Sequence, residues 1–142
     1  MKYVFLAGAI PFLVLGIAHI VYSLIDARRP FRIAPRDPDL VARMRTGTLI
    51  LTRETSVWRA WIGFNISHGM GVTLFGAGVL YMAALHFQAV LRAAPELLLA
   101  APVIAAIYLL LSLRYWFSIP AIGSALGGML LTGGAIAALA NA

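Results

Sequence analysis

Two histidines, His19 and His68, stand inside long apolar runs, each with polar company at helical spacing. Trp61, Asn65 and His68 fall on one face of a helix, because four and then three residues separate them. His19, Tyr22, Ser23 and Asp26 form a second polar stripe of the same kind. Ionisable side chains in an apolar helix are costly, which makes them default candidates for a functional site. Two imidazoles on facing helices could ligate a b-type haem or hydrogen-bond a quinone or other lipid-like molecule. Zinc wants three or four ligands, and no carboxylate or third histidine stands at that depth, so no metal site is expected. Ser67 adjoins His68, but neighbours on a helix diverge by about 100°, so they are no nucleophile–base pair and no catalytic residue is assigned. With Arg114 near the same level, the candidate ligand-binding set is His19, Asn65, His68, Trp61, Tyr22 and Arg114. The competing reading is packing: a histidine that bonds a carbonyl or an asparagine on the next helix contributes roughly 0.6 kcal/mol or a little more.

The elements that must carry these residues follow from hydropathy. The chain has 142 residues, 62% hydrophobic and 11% charged, with a mean hydropathy of +0.92. Soluble domains carry about 25% charged residues, so the composition predicts an integral membrane protein. The absence of cysteine excludes disulfides, zinc ribbons and iron–sulfur sites. Crossing roughly 30 Å of hydrocarbon takes about 20 apolar residues. Four stretches reach that length, at about 3–25, 57–87, 97–118 and 119–140. They lack the alternation of barrel strands, and open sheets cannot sit in lipid. The expected architecture is all-α: one integral membrane up-down four-helix bundle over 1–142, with a tight turn at Ser118-Ile119-Pro120 between the last two spans. Residues 3–25 are read as the first span, because their apolar run exceeds the 7–15 residues usual for a signal peptide.

The segment 26–56 carries seven arginines against four acids, including Arg28, Arg29, Arg43 and Arg45 as membrane-surface candidates. The positive-inside rule places it in the cytoplasm and both termini outside, and the tryptophans Trp58, Trp61 and Trp116 belong to an interfacial belt on that side. Asp37-Pro38 reads as an N-cap and first helical position, and Gly47 as a stop. The result is a short amphipathic helix near 38–46, with Leu40, Val41 and Met44 on one face, suited to lying on headgroups. Its modest net charge and scarce stacking aromatics argue against a nucleic-acid partner. Small residues four apart predict packing faces at Gly63/Ser67/Gly71, Gly123/Gly127 and Ser124/Gly128/Thr132.

Depth supports a shared site. At 1.5 Å per residue, His19 lies about 8 Å inside Leu24 and His68 about 14 Å inside Arg59, with Asn65 close to the level of His19. The string Trp61-Ile-Gly-Phe-Asn-Ile-Ser-His-Gly-Met-Gly71 is similar to the central segment of small four-helix bacterial membrane proteins with no assigned function. The outline also resembles DoxX-like inner-membrane proteins, which implies a bacterial inner-membrane location and no particular activity. The expected role is an accessory or interaction subunit of a membrane complex, or a binder of a lipid-like ligand. Its partners would be the bilayer, a larger complex or further copies of the chain. The alternatives are a haem- or quinone-binding redox protein using His19 and His68, and a transporter component.

Overall fold

The computed structural model describes residues 1–141. Among them the fold is all-helical, with no strand and one isolated bridge. The helices are α1 (Lys2–Asp26), α2 (Pro38–Thr46), α3 (Val57–Tyr81), α4 (Phe87–Ala93), α5 (Leu97–Tyr115) and α6 (Ser118–Leu139). A π-helical turn, Met82–His86, joins α3 to α4 without a break. Four helical runs are long and apolar enough to cross a membrane: α1, the continuous run Val57–Ala93, α5 and α6. The chain divides into two compact units, one of residues 1–15 with 72–142 and the other of residues 16–71.

The first unit is held together by close approach. On α6, a Cβ added at Gly127 would stand 2.5 Å from the Phe12 ring and 3.0 Å from the Gly8 carbonyl oxygen. Gly134 meets Phe5, Gly8 meets Leu131 and Gly123 meets Leu15, so partners step backward along α6 as α1 advances and the two helices run antiparallel. Gly76 brings α3 equally near the backbone of α1, at Ala9 and Leu13. Small residues permit such contact, and the core fills with Phe5, Phe12, Leu98 and Leu131 among alanines. The rings of Phe12, Phe75 and Tyr108 lie within 6.0 Å of one another, joining α1, α3 and α5.

The π turn answers to packing against α1. Buried positions 72, 79 and 83 with Gly76 recur at intervals of three and four, and that spacing would next bring His86 inward. The turn inserts one extra residue. Phe87 lands inside instead, its ring 5.7 Å from Phe5, and His86 stays outside, where its Nε2 lies 3.2 Å from the Tyr81 hydroxyl.

Three expectations need correction. The last two long helices are linked at Trp116-Phe117 rather than at residues 118–120, because Pro120 falls in the first turn of α6, where its missing N–H would have no helical partner anyway. Gly63, Ser67 and Gly71 face outward, with open space at Gly63; Gly69 and Gly76 carry the close contacts of α3, since they share a face with Ile62, Asn65, Val72 and Val79. Thr132 is exposed, although Ser124 of the same row is buried and Gly128 lies against Ala105.

These contacts set a stability test. Gly127→Leu overpacks the α1–α6 contact and should cost about 1–3 kcal/mol, whereas Gly63→Leu, which meets nothing within 4 Å, should be close to neutral. Thermal unfolding of the two variants in one detergent measures the difference; equal melting temperatures would contradict the packing described.

Candidate functional site

The second unit comprises the last part of α1, the segment 27–56 and the first part of α3. A Cβ on Gly69 would stand 3.1 Å from both the Gly16 carbonyl oxygen and the Ile20 nitrogen, so the two helices touch through their backbones one turn from the histidines. The Asn65 amide is oriented by its own helix: Nδ2 donates to the Trp61 carbonyl oxygen at 2.8 Å. Oδ1 is thereby left as the acceptor, and His19 Nε2 lies 3.0 Å from it. Nε2 must carry the proton, which makes Nδ1 of a neutral His19 the ring's acceptor.

His68 closes the group. Its ring meets that of His19 edge-on, with centroids 5.2 Å apart and planes at 81°, and stacks nearly parallel on Phe64 at 6.5 Å. Asn65 is buried, both imidazoles are half-buried, and Trp61 and Phe64 flank them as exposed side chains. The arrangement presents two imidazole edges beside an aromatic surface, suited to hydrogen-bonding one polar group of an otherwise apolar molecule. It offers no slot for a macrocycle between the rings. A haem held by both would need α1 and α3 to part at the Gly16–Gly69 contact. No group of three or more His, Cys, Asp or Glu among the described residues is placed to hold a metal ion.

The remaining candidates are distributed differently. Tyr22 is exposed and packs against Phe31, their ring centroids 6.0 Å apart, while the Arg32 guanidinium lies over both rings. Arg114 belongs to the first unit, exposed at the last turn of α5 beside the Tyr115 ring. Arg28 and Arg29 line an open groove with Val21, Leu24, Ile25 and Ala27 around the last turns of α1. Arg43 reaches Asp37 at 4.0 Å on the surface, and Arg45 lies over the Trp58 ring.

Ser23 and Asp26 are fully buried, whereas Tyr22 of the same stripe is exposed. Ser23 returns its hydroxyl proton to the His19 carbonyl at 2.7 Å. The Asp26 carboxylate ends α1, where the helix dipole disfavours a negative charge, and three backbone donors offset that: the amides of Phe31, Arg32 and Ile33. Sequence reasoning missed this role, because donors supplied by an irregular loop leave no periodic signal.

Trp58, expected in a belt, is buried instead under α2, packed with Val41 and Ile62. The sequence shows the cap of α2: Asp37 accepts the Asp39 amide at 2.9 Å and Pro38 opens the helix. What it conceals is that Val41 and Met44 spend the apolar face on α3, leaving Leu40 exposed.

Comparison of the chain with protein-family models, curated proteins and solved structures gives no match.

Asp26 is the testable hinge of this unit. Asp26→Ala leaves three amides without their acceptor and should cost about 1–3 kcal/mol, with Asp26→Asn intermediate because one carbonyl oxygen remains. Limited proteolysis across residues 27–36, followed by mass spectrometry, checks it; cleavage as slow in Asp26→Ala as in the parent would contradict the assignment.

Proposed function

We propose that this chain is an integral membrane protein of four spans in up-down order, which binds a lipid-like molecule and serves as an interaction subunit of a membrane assembly. The spanning reading is supported by how little of the helices the protein itself covers: 22–33% of each candidate span is buried. Outward leucines and isoleucines fill much of the remainder, whereas soluble monomers rarely expose contiguous apolar patches of more than a few hundred Å². Arginine placement supports a cytoplasmic segment 26–56 with both termini outside, and the resemblance of the general outline to DoxX-like proteins favours a bacterial inner membrane.

The observation that carries ligand binding is the half-burial of two touching imidazoles within the apolar lengths of α1 and α3. His68 stands about 14 Å along α3 from Arg59, at 1.5 Å per residue, where a bilayer places acyl chains. Ionisable rings at that depth are costly against hydrocarbon, and the polar head of an amphiphile, of which a quinone is one class, would offset that cost. A second reading is favoured by the His19–Asn65 hydrogen bond itself: the pair clamps α1 to α3, as polar side chains do between membrane helices.

One experiment separates them. Protein purified in mild detergent is extracted and its lipids identified by mass spectrometry, for the parent, His68→Leu and Asn65→Leu. Ligand binding predicts a co-purifying amphiphile that His68→Leu loses without a change in melting temperature. Retention of that amphiphile by both variants, with a lower melting temperature in Asn65→Leu alone, would establish the clamp in its place. No amphiphile in the parent above the detergent blank would overturn ligand binding.

A further inference from the structure

Residues 47–57 close into a tip fixed to the start of α3. The Val57 amide donates to the Gly47 carbonyl oxygen at 2.9 Å, and Thr48 pairs with Ser56 in an antiparallel bridge. At the tip, Ile50 is 110% exposed and Leu51 92%, the two most exposed large apolar side chains among the described residues. No described residue covers them. Yet this is its most polar region, where apolar side chains need a reason to face outward.

The surroundings identify the partner. All seven arginines of segment 26–56 are exposed, but only three of its four acids are, because Asp26 is buried and held by loop amides. Folding therefore leaves this surface more positive than the sequence count implies. The helix that hydropathy offers to a membrane is also unavailable, since Val41 and Met44 of α2 pack against Trp58. An apolar pair within an arginine-rich surface matches the boundary of an anionic leaflet, with hydrocarbon for the tip and phosphates for the guanidiniums. Reach is adequate: two residues beyond Thr48 extend about 7 Å, comparable with an interfacial layer of about 5–8 Å per leaflet.

We infer that Ile50 and Leu51 insert into the headgroup–acyl boundary of the leaflet where α3 begins, held there by the surrounding arginines on anionic phospholipid headgroups. The inference rests on the reading that α3 crosses the bilayer. It makes the tip, not α2, the element that fixes segment 26–56 to the membrane surface.

The chain has no cysteine, so one environment-sensitive fluorophore reports one position. The full chain is labelled at Ile50→Cys, at Leu40→Cys on α2 or at Leu110→Cys on the outward side of α5. Each is placed in nanodiscs of phosphatidylcholine, with or without phosphatidylglycerol, that carry nitroxide-labelled lipid. The expected result is loss of most Ile50→Cys emission to a shallow nitroxide in phosphatidylglycerol discs and a smaller loss in phosphatidylcholine alone. Emission should recover at about 1 M salt, where the Debye length is about 3 Å. Leu110→Cys should be quenched by a deep nitroxide in both lipids. Quenching of Leu110→Cys with Ile50→Cys unquenched, or with Leu40→Cys quenched in its place, would overturn the tip assignment and leave the spanning reading intact. Equal quenching of Ile50→Cys in both lipids would remove the anionic partner. An unquenched Leu110→Cys would instead overturn the spanning reading.

Discussion

The outward apolar surface is the constraint on which everything else in this molecule depends. Helices that bury only about a fifth to a third of their spans leave most of their leucine, isoleucine and valine side chains exposed. In water each such side chain, fully exposed, forgoes about 1.5–3 kcal/mol relative to burial. In hydrocarbon that term vanishes, and association must come from packing and polar contacts instead. The interior is built accordingly. Glycines at 8, 69, 76 and 127 let backbones approach, and alanines at 9, 101, 105, 135 and 138 fill the space between.

The same constraint governs the polar side chains. Ser23, Ser67, Ser112 and Thr132 each donate to a carbonyl three or four residues back on their own helix. That satisfies the hydroxyl without help from a neighbour or from water. His19 and Asn65 differ in joining two helices, beside a second imidazole and at a place where the surface is open. A polar contact made between two helices, not within one, is what sets this cluster apart from the hydroxyls.

The apolar spans were legible because length and composition suffice to mark them, and the capped start of α2 because Asp37-Pro38 is local chemistry. Which face of each helix turns inward was not. On α3, the row Gly63/Ser67/Gly71 and the residues Gly69 and Gly76 both have plausible spacing, and only the larger neighbours around Gly69 and Gly76 break the tie. The π turn escaped notice because it answers to whether position 86 or 87 fits against Phe5, a tertiary demand with no periodic trace. Asp26 and Trp58 were misplaced for a related reason. Their partners come from segment 27–56, whose path is set by three prolines and by hydrogen bonds to one carboxylate. The pairing of His19 with Asn65 could be reached from depth arithmetic alone; the edge-on contact with His68 could not, since it depends on the ring orientations.

The most direct measurement is thiol labelling of single cysteines in sealed membrane vesicles of known orientation, with a reagent that does not cross lipid. Leu74→Cys, outward on α3, should stay unlabelled from either side, and Asp39→Cys, exposed on α2, should react from the cytoplasmic face alone. Labelling of Leu74→Cys as fast as Asp39→Cys would contradict a spanning bundle, and reaction of Asp39→Cys from the outer face would invert it.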